Sequence, residues 1–314
     1  MRVLVTGGAG FIGSNFVEMA LTDQFSQITS VLVLDKLTYA GKLSNLSGVA
    51  NNSNFEFVQG DICDVELVNS LAAHVDAIVN FAAESHVDRS IESSTAFIQT
   101  NVLGTQVLLD AAKNQKVAKF VQVSTDEVYG SILEGSWDEN APLLPNSPYS
   151  ASKAAADLLA RAYFVTHGLN VCITRCSNNF GPKQDPEKLI PNFILKISQG
   201  KEVPVYGDGL NIRDWLYVED HCVGIYLVLT KGLSGEIYNI GGGTELTNLE
   251  LTKKLLDLFD RDENLVKFVP DRLGHDRRYS VDSAKIQKLG YDASLDFNEN
   301  LKKTVNSYLE GPKL

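Results

Sequence analysis

Short unbroken apolar runs separated by helix-length segments dominate the pattern of this chain. Arg2-Val3-Leu4-Val5-Thr6, Val31-Leu32-Val33-Leu34, Phe55-Glu56-Phe57-Val58, Ala77-Ile78-Val79-Asn80-Phe81, Phe120-Val121-Gln122-Val123 and Val171-Cys172-Ile173-Thr174 are each too short for a helix. Continuous rather than alternating hydrophobicity is what a strand covered on both faces requires. The alternation predicts an α/β fold with a Rossmann-type, doubly wound parallel sheet. After about Cys176 glycine and proline become denser and the elements shorten, with one late helical pattern at Asn248–Phe259. This predicts a smaller α/β lobe. The stretches Asp214–Val218 and Tyr238–Ile240 read as strands returning to the main sheet, with Trp215 and Tyr217 as core. The expected division is residues 1–176 as one domain, rejoined by about 211–243, with 177–210 and 244–314 as the second lobe.

The first strand breaks into Gly7-Gly8-Ala9-Gly10-Phe11-Ile12-Gly13 before a helix-length stretch. Glycines let a backbone turn tightly and approach a pyrophosphate, whose charge the amides and dipole of the following helix stabilise. The second apolar run ends in Asp35, 22 residues past Gly13, near the spacing at which an acid accepts hydrogen bonds from an adenosine ribose. Asp35 repels a 2′-phosphate, so the pattern favours NAD over NADP. Ligands of such sheets bind beyond the carboxyl ends of the strands. Six strand ends carry polar or small clusters there: Gly7 to Gly13, Asp35, Asp61-Ile62, Ala82-Ala83-Glu84-Ser85, Ser124 to Glu127, and Ser177-Asn178-Asn179.

Composition narrows the class. A chain of 314 residues with 44% hydrophobic residues can bury a full core, and a net charge of −11 argues against a nucleic-acid partner. Cys63, Cys172, Cys176 and Cys222 match no zinc pattern, so no metal is expected and they read as reduced thiols. With no secretory signal before the first strand and no apolar run of the roughly 18 to 20 residues that cross a bilayer, a cytoplasmic protein without a membrane partner is expected. No internal repeat is visible.

Two constellations carry chemistry. Tyr149 and Lys153, four apart at the start of an alanine-rich helix, share one face. A free phenol titrates near 10; lowering it to about 7 takes roughly 4 kcal/mol, which a nearby ammonium and a cationic nicotinamide can supply, making Tyr149 a base toward a sugar hydroxyl. Asp126 and Glu127 are adjacent, so in a continuing strand they face opposite sides of the sheet; to reach one substrate, the strand must end near Thr125. A cleft acid kept protonated donates a proton while its ionised neighbour accepts one.

TGGAGFIGSN, DKLTYAG, GDICD, AAESHVDRSI, TNVLGT, STDEVYG, SPYSASKAAAD, SNNFGP, EKLIP, NIRDWLYVEDH, YNIGGG and GHDRRY together resemble the dTDP-glucose 4,6-dehydratases of the extended short-chain dehydrogenase/reductase superfamily, from Met1 to the last helix. The Thr-Asp-Glu triplet and GHDRRY are the most specific of these. The resemblance implies a lyase that borrows NAD and returns it. Tyr149 deprotonates the hydroxyl on sugar carbon 4 as hydride leaves, Thr125 holds the oxygen and Lys153 supports Tyr149. Glu127 then takes the carbon 5 proton and Asp126 protonates the hydroxyl leaving carbon 6, to which hydride returns. The product is a nucleotide-linked 4-keto-6-deoxyglucose for deoxysugar, including rhamnose, biosynthesis.

Carried over by position, the resemblance implies cofactor contacts at Gly7, Gly10, Phe11, Ile12, Gly13, Asp35, Lys36, Leu37, Thr38, Asp61, Ile62, Phe81, Ala82, Ala83, Glu84, Ser85, Thr100, Tyr149, Lys153 and Asn179. It implies sugar-nucleotide contacts at Ser85, Thr125, Asn178, Lys188, Leu189, Pro204, Val205, Tyr206, Arg213, Asn239, His275, Asp276, Arg277, Arg278 and Tyr279. Arginine forks suit a diphosphate that an acidic protein otherwise repels. His86 reads as a structural or supporting histidine. It also implies a homodimer formed through helices around Asn101–Asn114 and Ser150–Tyr163, to which Val102, Leu103, Val107, Leu108, Leu158 and Leu159 bring apolar surface, although the same residues also suit a cover for the sheet.

Three positions depart from the family pattern. The Glu127–Tyr149 segment is short, Leu273 stands where proline is usual, and Phe180 replaces a common tyrosine. Related epimerases share Tyr149 and Lys153 but need no acid–base pair for water loss. GDP-mannose dehydratases and UDP-glucuronate decarboxylases usually have serine at the position of Asp126. A UDP-glucose 4,6-dehydratase is the main alternative; a non-catalytic NAD-binding regulator would be expected to have lost reactive groups that are intact here.

Overall fold

The computed structural model describes residues 1–271, 274–293 and 296–309; Leu273 lies outside them. Six strands follow the apolar runs closely: β1 (Arg2–Thr6), β2 (Ser30–Asp35), β3 (Phe55–Gln59), β4 (Ala77–Asn80), β5 (Lys119–Thr125) and β6 (Val171–Cys176). Six more follow among the described residues: β7 (Asn178–Phe180), β8 (Val203–Tyr206), β9 (Ile212–Tyr217), β10 (Ile237–Ile240), β11 (Glu245–Thr247) and β12 (Val266–Val269). Among the described residues the main sheet has the order β10-β6-β5-β4-β1-β2-β3, every neighbouring pair parallel.

Helices cover both faces of that sheet. In chain order the helices are α1 (Phe11–Ala20), α2 (Val65–Ala72), α3 (Val87–Glu92), α4 (Thr95–Phe97), α5 (Thr105–Asn114), α6 (Pro148–His167), α7 (Leu189–Ser198), α8 (Val218–Lys231), α9 (Asn248–Leu258), α10 (Ala284–Gln287) and α11 (Phe297–Leu309). A π-helical segment, Ile98–Gly104, links α4 to α5. Val3, Val5, Val33 and Val79 point to one face, where Phe16 and Val17 of α1 and Ile225 and Val228 of α8 close the core. Leu4, Leu32, Ile78 and Phe120 point to the other, against Val68 of α2, Leu108 of α5 and Ala160 of α6. The inversion of side-chain direction at each residue thus gives the inner strands two buried faces, as their continuous hydrophobicity requires, while the edge strand β3 stays partly exposed at Glu56 and Gln59.

The second lobe has its own core, in which Phe193 and Ile194 of α7, Leu251 and Leu255 of α9 and Leu301 of α11 pack around Phe180, Trp215 and Tyr217. Here one expectation is corrected. The Asp214–Val218 stretch does form a strand, β9, but it lies in a separate β11-β9-β7 sheet, and of the two predicted returning strands only β10 joins the main sheet, beside β6. The reason lies in Asp214, whose carboxylate accepts the backbone N–H groups of Gly242 and Thr244 at 2.9 Å each and so fixes β9 against the chain leaving β10.

The glycine turn after β1 is dictated sterically. Gly7 sits at φ +69°, and a Cβ there would lie 2.7 Å from the backbone nitrogen of Ala82; a Cβ at Gly13 would lie 2.4 Å from the Gly7 carbonyl oxygen. Gly13→Ala is therefore expected to cost about 1–3 kcal/mol by forcing α1 away from the turn. A melting curve should show a loss of several degrees, and an unchanged midpoint would show that the turn tolerates the displacement.

Candidate active site

A cleft of about 700 Å³ runs along the carboxyl edge of the main sheet, between the two lobes. All five proposed catalytic residues, Thr125, Asp126, Glu127, Tyr149 and Lys153, line it. Their positions follow from two local devices. The first is the end of β5 at Thr125, whose Oγ1 accepts the Glu127 N–H at 3.3 Å and caps a 3-10 turn, Asp126–Tyr129. The turn removes the strand alternation, so both acids face one cleft. The second is the start of α6, where Ser147 and Ser150 exchange backbone-to-hydroxyl bonds of 3.1 Å and Pro148 occupies the first turn. This capping box fixes Tyr149 in the opening turn and Lys153 one turn later on the same face.

Burial sets the electrostatics. Asp126 is 3% exposed, and burial, then the charges of Glu127 and Asp214, push its carboxyl well above the usual range, against Arg213 and Thr125. Burial thereby favours the protonated form of Asp126. Burial, followed by Glu127, Cys176 and Asp126, also pushes the Tyr149 phenol well above 10, against the Thr125 hydroxyl. The anticipated lowering of this phenol does not arise from the protein's own groups. The Lys153 ammonium is itself fully enclosed and donates to the Val123 carbonyl at 2.7 Å; burial lowers its pKa, with Asp157 and Cys176 opposing.

At the other end of the cleft the residues fit a dinucleotide. The N-terminus of α1 begins at Gly10 with no side-chain cap, and a Cβ at Gly13 would fill the cradle beneath it. Asp35 is 8% exposed and accepts the N–H groups of Ala9 at 2.9 Å and Leu37 at 2.8 Å. A carboxylate has about four acceptor sites, so two are left for a ribose. Asn179 is held by His221, a neutral imidazole that burial pushes down to about 3, through a 2.9 Å bond from Nδ1. Lys36 pairs with Asp61 at 2.6 Å at the rim. Of the cofactor positions expected from the sequence, Leu37 alone is not among the lining residues; it turns at φ 57° and packs toward the α1 core.

The sugar-nucleotide set divides. Ser85, Asn178, Lys188, Leu189, Pro204, Tyr206, Arg213 and His275 line the cleft, and Asp276 and Tyr279 line a small adjoining cavity that also touches Glu127. Arg213 is anchored by bonds to the carbonyls of Ile212 and Asp276 and stacks 4.4 Å over the Tyr279 ring. Four positions are not brought there. Val205 packs into the lobe core; Asn239 is sealed among Tyr129, Trp137 and Glu139. Arg277 pairs with Asp208 at 2.8 Å and Arg278 with Glu245 at 2.6 Å. Sequence reasoning missed Asn192, Phe193, Lys196 and Asn248, and assigned Trp215 only to the core, yet all five line the cleft. Buried Trp215 Nε1 and Asn248 Oδ1 have no hydrogen-bond partner among the described residues. His86 faces Glu187 at 3.3 Å and lines the cleft rim in a supporting place.

Comparison with known proteins follows the same geometry. The family profile described as GDP-mannose 4,6 dehydratase matches residues 4–304. The dTDP-glucose 4,6-dehydratase of Streptomyces niveus is 56% identical over 98% of this chain and 93% of its own. That of Streptomyces antibioticus is 57% identical over 98% and 92%. The chain belongs to the dTDP-glucose 4,6-dehydratase family. A solved dTDP-glucose 4,6-dehydratase of Streptomyces venezuelae with NAD bound superposes with a TM-score of 0.97 at 55% identity, covering 99% of this chain and 98% of that one. In this member of the family Phe180 is buried in the lobe core beside Trp215, Tyr217 and Phe297, so the missing tyrosine hydroxyl touches no catalytic group.

A carboxyl whose pKa is raised by folding makes stability fall as pH rises. Asp126 releases its proton near 3.8 when unfolded and only well above that when folded, so the unfolded chain binds fewer protons between the two values. Asp126→Asn removes that slope. Its thermal midpoint, relative to the parent, should rise as pH is increased from about 4 and level off once the folded carboxyl has ionised; a difference that does not change with pH would mean that folding leaves this carboxyl at its unfolded value.

Proposed function

We propose that the chain converts dTDP-glucose to dTDP-4-keto-6-deoxyglucose with NAD, through Tyr149, Lys153, Thr125, Asp126 and Glu127. The observation that carries this assignment of residues is the buried acid Asp126 beside Glu127 on one turn, opening into the cleft that holds Tyr149. Epimerisation uses no such pair. NAD, when bound, supplies the hydride acceptor for carbon 4 and the hydride donor for carbon 6, and its cationic ring favours the phenolate.

The protein's own groups supply the proton steps. Tyr149 Oη takes the proton of the carbon 4 hydroxyl while Thr125 Oγ1 holds that oxygen. The resulting ketone acidifies carbon 5, and Glu127 removes that proton. Asp126 gives its proton to the carbon 6 hydroxyl, which leaves as water, and Glu127 returns its proton to carbon 5 once carbon 6 is reduced. The balance then leaves Tyr149 one proton richer and Asp126 one poorer, so transfer between them closes the cycle. Arg213 and Lys188 line the cleft and supply cations for a diphosphate. We assign the product to deoxysugar biosynthesis, rhamnose included, and a cytoplasmic location, which fits four free thiols. Among the described residues no helix is long and apolar enough to cross a membrane.

Purified enzyme should turn over dTDP-glucose to a ketosugar lighter by one water, without accumulating NADH. Glu127→Gln should slow this by about 10²–10⁴-fold. Turnover of UDP-glucose alone would move the nucleotide, and epimerisation without water loss would remove Asp126 and Glu127 from their roles.

We assign the homodimer to the layer made by Ile98–Gly104, α5 and α6. Leu103 and Leu158 are 47% and 57% exposed there, whereas Val107 and Leu108 are buried against the sheet. Light scattering of the Leu103→Asp, Leu158→Asp double variant should report a monomer; a dimer of parental mass would place the interface elsewhere.

A further inference from the structure

Behind the Tyr149–Lys153 face lies an ion pair that the reaction scheme does not use. Arg175 Nε donates to Asp157 Oδ2 at 2.9 Å, with the side chains only 3% and 1% exposed. No other ion pair among the described residues has both partners so deeply buried. Such a pair is seldom more stabilising than apolar side chains of the same volume, so stability alone does not account for it. Its position is specific. Asp157 is one turn beyond Lys153 and two beyond Tyr149, so the three share one face of α6. Arg175 lies on β6, in register with Ser124 of β5 and Asn239 of β10. Its guanidinium stacks 4.7 Å over the Tyr129 ring, whose hydroxyl is in turn held by Asn239 at 2.8 Å.

The groups around Lys153 leave it few sources of compensating charge. On its own helix Tyr149 lies one turn before it and Asp157 one turn after; to β5 it donates at the Val123 carbonyl; from β6 come Cys176 and, through Asp157, Arg175. Burial and Asp126 push the Cys176 thiol up to about 12, so it carries no charge at neutral pH. Asp157 is left as the carboxylate that opposes the desolvation of the ammonium. Burial raises the Asp157 carboxyl, while Arg175, the Ser124 hydroxyl and Lys153 pull it back.

We propose that Asp157, clamped by Arg175, is a positioning residue of the reaction: its carboxylate keeps Lys153 an ammonium, so that the charge next to Tyr149 is present when the phenol gives up its proton. The result is a line of alternating charge, phenolate, ammonium, carboxylate and guanidinium, running from the cleft into the core. This proposal rests on the reading of Tyr149 and Lys153 as the base and its support.

Asp157→Asn lowers the Lys153 pKa further, so the ammonium is lost at a lower pH and the alkaline limb of kcat moves toward neutrality. A shift of one pH unit or more, with about tenfold lower kcat on the alkaline side and KM for dTDP-glucose within about twofold, is the expected result. Asp157→Asn alone leaves Arg175 as an unpaired buried charge, so a second variant, Asp157→Asn with Arg175→Met, removes both charges and separates folding from function. It should melt cooperatively and keep the shifted limb, while Asp157→Glu should move the limb back toward that of the parent. A double variant with the parental pH profile would make the pair merely structural and overturn the proposal. So would a loss in Asp157→Asn that is uniform across pH. Lys153→Met distinguishes the underlying reading: if it leaves turnover intact, the base assignment fails, whereas if it abolishes turnover and Asp157→Asn keeps the parental profile, only the role of Asp157 fails.

Discussion

Everything chemical in this protein depends on where β5 stops. Its last residue, Thr125, is paired with Cys176 of β6 and has extended backbone at φ −139° and ψ 152°; the next N–H but one turns back to its hydroxyl. Had the strand run on by two residues, Asp126 and Glu127 would have pointed to opposite faces of the sheet. The 3-10 turn instead leaves one acid buried and the other half-buried at a single cleft. The same threonine donates to Asp126 Oδ1 at 3.3 Å, so one hydroxyl terminates the strand, caps the turn and touches the acid. Local structure and catalytic geometry are here the same set of bonds.

Burial then assigns the roles. It raises Asp126, raises Tyr149 and lowers Lys153, each time against the charged form. For Asp126 this is what an acid requires. For Tyr149 and Lys153 it opposes the phenolate–ammonium pair, so positive charge near Tyr149 and negative charge near Lys153 have to be built in. The acidity of the chain, −11 overall, sharpens the need: Arg213 is set deep in the cleft, and it donates to the backbone carbonyls of Ile212 and Asp276.

The main sheet was legible because a strand buried on both faces has to be apolar throughout, and strands at the centre leave little else to read. The glycine turn and the Tyr149–Lys153 spacing were legible because one is a steric requirement and the other a property of any helix. What was not legible depends on partners far away in sequence. Arg277 and Arg278 look like free cations until Asp208 and Glu245 are seen beside them. Asn239 looks like a ligand contact until its amide is found bonded to the Trp137 carbonyl. Trp215 reads as core and is core, yet it also lines the cleft, a double placement that no pattern of residue types expresses.

The misplaced strand explains how the two lobes keep their alignment. After β6 the chain leaves the main sheet for β7, β8 and β9, returns through α8 to β10, and leaves again for β11 and α9. Asp214 of β9 is bonded to the backbone just past β10, and Trp215 N–H donates to the Thr244 carbonyl at 2.9 Å, so the outgoing and returning crossings are tied to each other. Arg213 and Trp215, on either side of Asp214, therefore inherit their position from the main sheet. A lobe crossed twice and bonded at the crossing has no single hinge about which to turn. The cleft is consequently set by the fold, lined both by the acid pair at the end of β5 and by Arg213 and Trp215 of β9, a strand tied to the chain leaving the main sheet.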